Sequence, residues 1–584
     1  MRRLFYKSLP LITLIVLLSS CLPSLGGDDP AGIQLPSMEV PLREFSTSAP
    51  ARANTPVTGT QTPLPTSTSG QPTPALPISA GTITSLPYPL WIDASVPDAL
   101  REPALELNLP VANRASAASL KLGMAVPSDE NPSTWIYTLV APFPTVMDGV
   151  AKSELEAAWN ASDSGPVPES PLWMTESTLK AMTAVFGEAG QGAVRTVPAD
   201  ELIDALWENQ PSWGIVPFES LDPKLKVLSV DRQSPVRNDF EQSIYPLKMD
   251  FALTGTDAVD FELPLTNRDP SKMTVLLMTG VTALVRATAT RMEILGLDYP
   301  AWDIGETLKA ADITHISNEV PFYTGCPYPD PRQEELVFCS IPKYIELLDM
   351  IGTDVVELTG NHFQDYGSVA TLQTLEMYNE RKWPYYGGGA ELEDSRKPAL
   401  LTHNGNRFAF IGCNPIGPPI AWATETEPGA APCDDYEWMK AEIADLAQKG
   451  YIVIATFQYI EYYEPVPIDE HVSDFRAIAD SGATIVNGSQ AHLPMAMEFY
   501  EDAFIHYGLG NLFFDQMFGL TRREFLDRHI FYDGRYISTE LVTAMLEDFA
   551  RPRPMNLDER TEFLEEMFGY SGWHESVSAE DAGN

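Results

Sequence analysis

The sequence predicts an α/β protein with two globular domains, and three observations carry that expectation. Strand-like apolar runs alternate with helix-like segments over most of the chain, the signature of sheets covered by helices. In the second half those runs are short and continuously apolar, TVLLMTG and YIVIATFQ among them, as in strands buried on both faces. Polar residues then follow the strand ends again and again, which is where open α/β sheets place their sites. About 500 residues follow the low-complexity N-terminal part, too many for one core, so two domains are the natural division.

Taken in chain order, residues 1–21 read as a lipoprotein signal peptide. Arg2, Arg3 and Lys7 form a positive region, and the apolar run Leu9 to Leu18 is too short to span a bilayer stably. Its end, Leu18-Ser19-Ser20-Cys21, is similar to a bacterial lipobox, in which the signal is cut before the cysteine and the thiol carries a lipid. The alternative is an ordinary signal peptide with a chance cysteine. On the lipobox reading the protein is extracytoplasmic and lipid-anchored at Cys21. No later stretch approaches the roughly twenty apolar residues of a membrane helix.

Residues 22–85 form a stalk rich in Thr, Pro and Ser, as in TPVTGTQTPLPTSTSGQPTPALP. It has too little to bury to offset its ordering entropy, and its prolines favour an extended, semi-rigid spacer. The formal charge of the whole chain is −43, which repels nucleic acid and bare anionic lipid. Nucleic-acid binding is therefore excluded, and the acidity suits a soluble exported domain.

Four cysteines remain beyond Cys21, in two local pairs: Cys326 with Cys339, and Cys413 with Cys433. In an oxidising compartment such pairs point to disulfides, each worth about 3 kcal/mol for loops of this length. A zinc site is the rival, although these spacings lack the tight Cys-x-x-Cys knuckle.

The first domain is expected over residues 86–265. LWIDASVP, STWIYTLVAPFPT and SWGIVPFESLDPKLKVLSV read as strands with turns, and ESTLKAMTAVFG and ADELIDALWENQ as helices. YTLVAPFPTVMDGV and WGIVPFESLDPKLKVLSVD resemble pieces of type 2 periplasmic binding proteins, most nearly the phosphate-binding kind. That resemblance implies a ligand between two lobes on helix N-termini and hydroxyl side chains. Thr145 and Asp148 fall where such a contact would lie, or they cap a helix. Whether this domain holds a ligand is left open.

The second domain is expected over residues 273–522. Five strand-end motifs stand out: Asn318-Glu319, Asn361-His362 with Asp365, Gln458 with Glu461, Gln490 with His492, and Gly510-Asn511. Carboxylate, amide and imidazole groups at converging strand ends suit a divalent metal and a phosphate or peptide substrate. The bland alternative is that Asn361, Asp365 and Asn511 organise tight turns. Residues 523–584 read as a charged, helical-looking C-terminal extension with an acidic, weakly structured end.

These motifs resemble the CapA family of capsule and poly-γ-glutamate synthesis proteins. The stretches that carry the resemblance are Gly280-Val281 to Arg286, Ser317-Asn318-Glu319, Gly360-Asn361-His362-Phe363-Gln364-Asp365-Tyr366-Gly367, Phe457-Gln458-Tyr459-Ile460-Glu461-Tyr462, Gly488-Ser489-Gln490-Ala491-His492 and Leu509-Gly510-Asn511-Leu512-Phe513-Phe514-Asp515. The resemblance implies a four-layer α/β sandwich related to calcineurin-like metallophosphatases. It also implies a metal set drawn from Glu319, Asn361, His492, Gln458 and Gln490, with His362, Asp365 and Arg286 in catalytic roles.

The sequence departs from the family at three points. Valine stands at 281 where the family has aspartate, and glutamine at 458 and 490 where it has histidine. Glu319, Asn361, His362, Glu461 and His492 remain, enough for one divalent ion (manganese, iron or zinc) or for none. Two functions follow. One is a single-metal hydrolase of a phosphoester or γ-glutamyl amide, with His362 as acid or charge stabiliser and Arg286 on an anionic group. The other is a surface component that binds an anionic capsular polymer, or the machinery that makes it, without cutting. The three departures favour the second, and the intact Asn361-His362-Asp365 with Arg286 favours the first.

Overall fold

The computed structural model describes residues 89–129, 131–162, 170–255 and 262–573, and these fall in one compact unit. The signal segment, the lipobox with Cys21, the stalk up to residue 88 and the acidic end from 574 lie outside the described residues. Among the described residues no helix is long and apolar enough to cross a membrane.

The first sheet is built around Ser133–Pro142, whose sequence STWIYTLVAP is buried along almost its whole length. It pairs antiparallel with Lys248–Gly255, Gly214–Pro217 and Leu225–Val230. Leu172–Met174 and Val194–Thr196 extend the sheet beyond Gly214–Pro217, while Leu120–Met124 and Leu90–Ile92 extend it beyond Lys248–Gly255. The helices Lys152–Trp159, Glu176–Phe186 and Leu202–Glu208 supply Trp159, Met182 and Leu206 to its core. Thr175 caps the second of these helices, accepting the Thr178 N–H.

Thr145 and Asp148 cap no helix, since Ala151 precedes the nearest one. The Thr145 carbonyl accepts from Lys226 Nζ at 2.7 Å, and the Asp148 carboxylate pairs with Lys226 and Arg560, both at 2.8 Å. The Asp148 side chain is thus spent on internal cations. Burial pushes the Asp148 carboxyl up, but Lys226 and Arg560 outweigh it and hold the pKa at about 2 against an ordinary 3.8. A carboxyl with a depressed folded pKa lends stability above its unfolded value and loses it as pH falls toward the folded one. Asp148→Asn is therefore expected to lower stability by up to about 1 kcal/mol at pH 6, the side chain being half exposed. That deficit should vanish between pH 4 and pH 2; urea unfolding of both proteins across this range reads it directly.

The second half holds two further large sheets and a two-stranded one, Gly388–Gly389 with Gly429–Ala430. One runs Tyr385–Tyr386, Val355–Glu357, Ile313–Asn318, Met273–Thr279, Arg523–Tyr532, Arg535–Glu547, Arg551–Pro554. Its first four strands are parallel and the rest antiparallel. The short strand Val281–Thr282 joins Ile313–Asn318 to Asn511–Phe513. The other sheet runs Ala399–His403, Asn406–Cys413, Ile452–Phe457, Ile485–Asn487, Ala503–His506, Met497–Tyr500.

Period-two alternation decides how the two sheets stack. Leu276, Met278, Phe408, Phe410, Ile452 and Ile454 meet in one buried cluster between them. Leu277 faces the other way, with Met292, Leu308, Leu348 and Leu375 from flanking helices. Ala409, Ile411, Val453 and Ala455 likewise face Met439, Ile443, Phe475 and Ile478. The layers are helix, sheet, sheet, helix: the expected four-layer α/β sandwich.

The expectation of helix after Arg522 is corrected. Residues 523–554 form three strands, and helix appears only at Leu557–Tyr570. These strands complete the sheet that begins at Met273, and Ile530, Tyr532 and Ile537 enter the core of the first sheet beside Met273 and Val275. Both cysteine pairs are disulfides, Cys326–Cys339 and Cys413–Cys433.

Candidate metal centre

The polar groups gather at the C-terminal ends of the parallel strands of both facing sheets. Ile313–Asn318 delivers Glu319 at its tip, where the backbone N–H is held by the Thr282 carbonyl at 3.0 Å. The Glu319 side chain is 1 % exposed, and neither carboxylate oxygen receives a hydrogen bond. Gly360 explains how the next loop comes so close: a Cβ there would lie 2.8 Å from Glu319 Cα and 2.9 Å from its carbonyl oxygen. Only glycine lets the chain leaving Val355–Glu357 press on Glu319 and present Asn361.

Asn361 Nδ2 donates to Glu461 Oε1 at 2.9 Å, and Gln458 Nε2, at the end of Ile452–Phe457, donates to the same oxygen at 3.1 Å. The amide oxygens of both residues are buried and unpartnered. His492 follows Ile485–Asn487, its ring stacked on Phe514 with centroids 5.1 Å apart. Its Nε2 lies 3.7 Å from Glu319 Oε1 and 3.9 Å from Glu461 Oε1.

Asn511 fixes which His492 nitrogen faces the carboxylates. The Asn511 amide group donates to the carbonyls of His492 and Thr521, so its oxygen is the acceptor for His492 Nδ1 at 2.9 Å. A proton on Nδ1 leaves the Nε2 lone pair toward Glu319 and Glu461, the arrangement that orients an imidazole as a metal ligand. Ligand atoms of Glu319, Glu461 and His492 all lie within 4.8 Å of one another. Burial pushes the Glu319 carboxyl up; the His492 and His362 rings oppose the rise and Glu461 adds to it.

His362 stands beside this group, close enough for Glu319 and Glu461 to act on its charge. Its Nδ1 meets Asp365 Oδ2 at 2.7 Å, and the same oxygen accepts the Phe338 N–H at 2.7 Å. Burial pushes the imidazole down, but the Asp365 hydrogen bond and the surrounding carboxylates prevail and raise its pKa. Phe338 packs on the His362 ring at 4.8 Å and is tied down by the neighbouring Cys326–Cys339 disulfide.

The expected metal set thus comes together in Glu319, Asn361, Gln458 and His492. Glu461, one of the retained groups that the sequence allows for a single ion, is the third member of the tight cluster. Gln490 is directed elsewhere by its amide group, which donates to Ser317 Oγ at 2.6 Å. Arg286 does not offer a free charge: its guanidinium is paired with Asp515 between the rings of Phe338 and Phe514. Asp515 lies 229 residues from Arg286 in the chain, and no local pattern marks the pair.

The donor set fits one cation. Buried, unpartnered oxygens of Glu319, Asn361 and Gln458 beside an oriented imidazole are ligands waiting for positive charge. Val281 is a fully buried strand residue whose N–H bonds the Gly510 carbonyl, and it has no ligand atom to give.

Residues 275–516 match the family model of the bacterial capsule synthesis protein PGA_cap. Over these residues the chain is similar to the CapA family of capsule synthesis proteins. The capsule biosynthesis protein CapA of Bacillus anthracis is 24% identical over 308 residues, which cover 52% of this chain and 74% of that protein. The PGA biosynthesis protein CapA of Bacillus subtilis is 28% identical over 179 residues, covering 30% of this chain and 47% of that one. An ABC-type phosphate transport receptor from Vibrio cholerae superposes with a TM-score of 0.24 at 12% identity, covering 30% of this chain and 88% of the receptor. The cluster Glu319, Glu461 and His492 lies inside the segment that matches the family model.

Proposed function

We propose that this protein acts outside the cytoplasm in making, exporting or anchoring a capsular polymer, polysaccharide or poly-γ-glutamate, by binding the polymer at a single-cation site. The observation that carries the reading is the cluster of Glu319, Glu461 and His492 with its unpartnered oxygens. Those three residues would hold one divalent ion, with the amide oxygens of Asn361 and Gln458 beside them. Such an ion supplies the positive charge that draws and orients an anionic group of the polymer.

The chain's own residues do the rest. Asn361 and Gln458 clamp Glu461 by one oxygen. Asp365 takes Nδ1 of His362, so Nε2 is the atom turned to a ligand, and the raised pKa favours a proton there for an anionic oxygen. The lipobox ending at Cys21 supports tethering to the outer face of a membrane by lipid.

The His362–Asp365 pair also favours a second reading, hydrolysis of a phosphoester or γ-glutamyl amide with His362 protonating the leaving group. One experiment separates the two. Protein lacking the signal is incubated with poly-γ-glutamate of defined length, with a divalent cation or with chelator, and both retention and chain length are measured. Cation-dependent retention with unchanged length is the expected result. Shortening that requires His362 would establish the hydrolase instead, and neither retention nor shortening would overturn both readings.

A further inference from the structure

We infer that the centre selects an oxygen-seeking, six-coordinate cation of the manganese, magnesium or calcium class over tetrahedral zinc. The inference rests on the one-cation reading and adds the kind of ion. Structural zinc sites draw on thiolate and imidazole, and catalytic ones on three ligands in which imidazole or thiolate predominates, whereas sites richer in carboxylate and amide oxygens suit the harder ions. Here one imidazole, His492, lies within the cluster with two carboxylates, the amides of Asn361 and Gln458 stand beside them, and the second ring at hand, His362, has its Nδ1 on Asp365.

The hydrogen bonds turn those amides oxygen-first. Asn361 and Gln458 each spend the NH₂ on Glu461 Oε1, which leaves Asn361 Oδ1 and Gln458 Oε1 without a partner. Gln458 is 1 % exposed, so no bulk water satisfies it. Gln490 lies apart from them: its NH₂ goes to Ser317 Oγ, and the fully buried Glu357 accepts the hydroxyls of Thr359 and Ser489. A histidine at 458 would instead offer a nitrogen, the donor zinc prefers.

The test uses the signal-less protein and three metal salts. Binding of manganese, calcium and zinc is measured by calorimetry and by the shift in Tm, on the native chain and Gln458→His, with cation-free melting confirming that the variant folds. The native chain is expected to bind manganese or calcium at least as tightly as zinc. Gln458→His should swing the ratio of zinc to manganese affinity toward zinc by about tenfold or more. Tighter zinc binding by the native chain, with no swing in the variant, overturns the selectivity and leaves the one-cation reading standing. Absence of binding by all three metals overturns that reading and the selectivity with it.

Discussion

Glu319→Gln is expected to leave the cation-free protein as stable as the native chain or more so, and to abolish the rise in Tm that a divalent cation produces. Both halves follow from the same carboxylate. Glu319 is fully buried, receives no hydrogen bond, and has a second carboxylate within 4.8 Å. Two such charges repel by about 3 kcal/mol at an effective dielectric near 20, and an unpaired buried charge adds its desolvation cost. Glutamine has nearly the same shape and removes both penalties. It also removes half the negative charge that draws the cation. At a cation concentration about a hundred times Kd the native chain gains about 2.7 kcal/mol, and the variant should gain almost none. Melting curves with and without cation measure both quantities. A large fall in cation-free Tm would show instead that Glu319 is there for packing.

Phe143→Ala should cost about 3–5 kcal/mol in urea unfolding, the range for removing a fully enclosed aromatic ring. Phe143 is 2 % exposed and follows the central strand of the first sheet. Its ring meets Phe499 at 5.1 Å, Trp573 at 5.5 Å, Phe504 at 5.6 Å and Phe568 at 6.3 Å. Those partners come from the outer strands of the third sheet and from the last helix and the residues after it. One side chain thus cements three parts of the molecule, and edge-on aromatic pairs strengthen such contacts beyond the buried area. None of the residues of the metal centre touches this ring, so cation affinity of the folded variant should stay native. A loss below about 1 kcal/mol would mean that the cluster closes over the gap.

The centre was legible because parallel strands deliver their following residues to one edge. Glu319, Asn361, Gln458 and His492 each come directly after an apolar run, and the runs are visible without a structure. Other parts were hidden for physical reasons. REFLDRHIFY and RYISTELVTAMLE carry too much charge to read as buried strands, yet Arg528 meets Glu540 across the pair at 3.0 Å and His506 takes Asp527 at 2.6 Å. Cross-strand partners neutralise the polarity that a linear reading counts as exposure. Glu357 escaped notice because its partner Ser489 is 132 residues away. Arg286 looked free because Asp515 is equally remote.

The place of Arg523–Tyr532 in its sheet bears on how the chain is made. That strand pairs residue for residue with Met273–Thr279, so a strand near the start of the domain waits for one synthesised some 250 residues later. Until the ribosome has passed residue 532, the flank of Met273–Thr279 is an open row of backbone donors and acceptors. Such a row invites pairing with another chain.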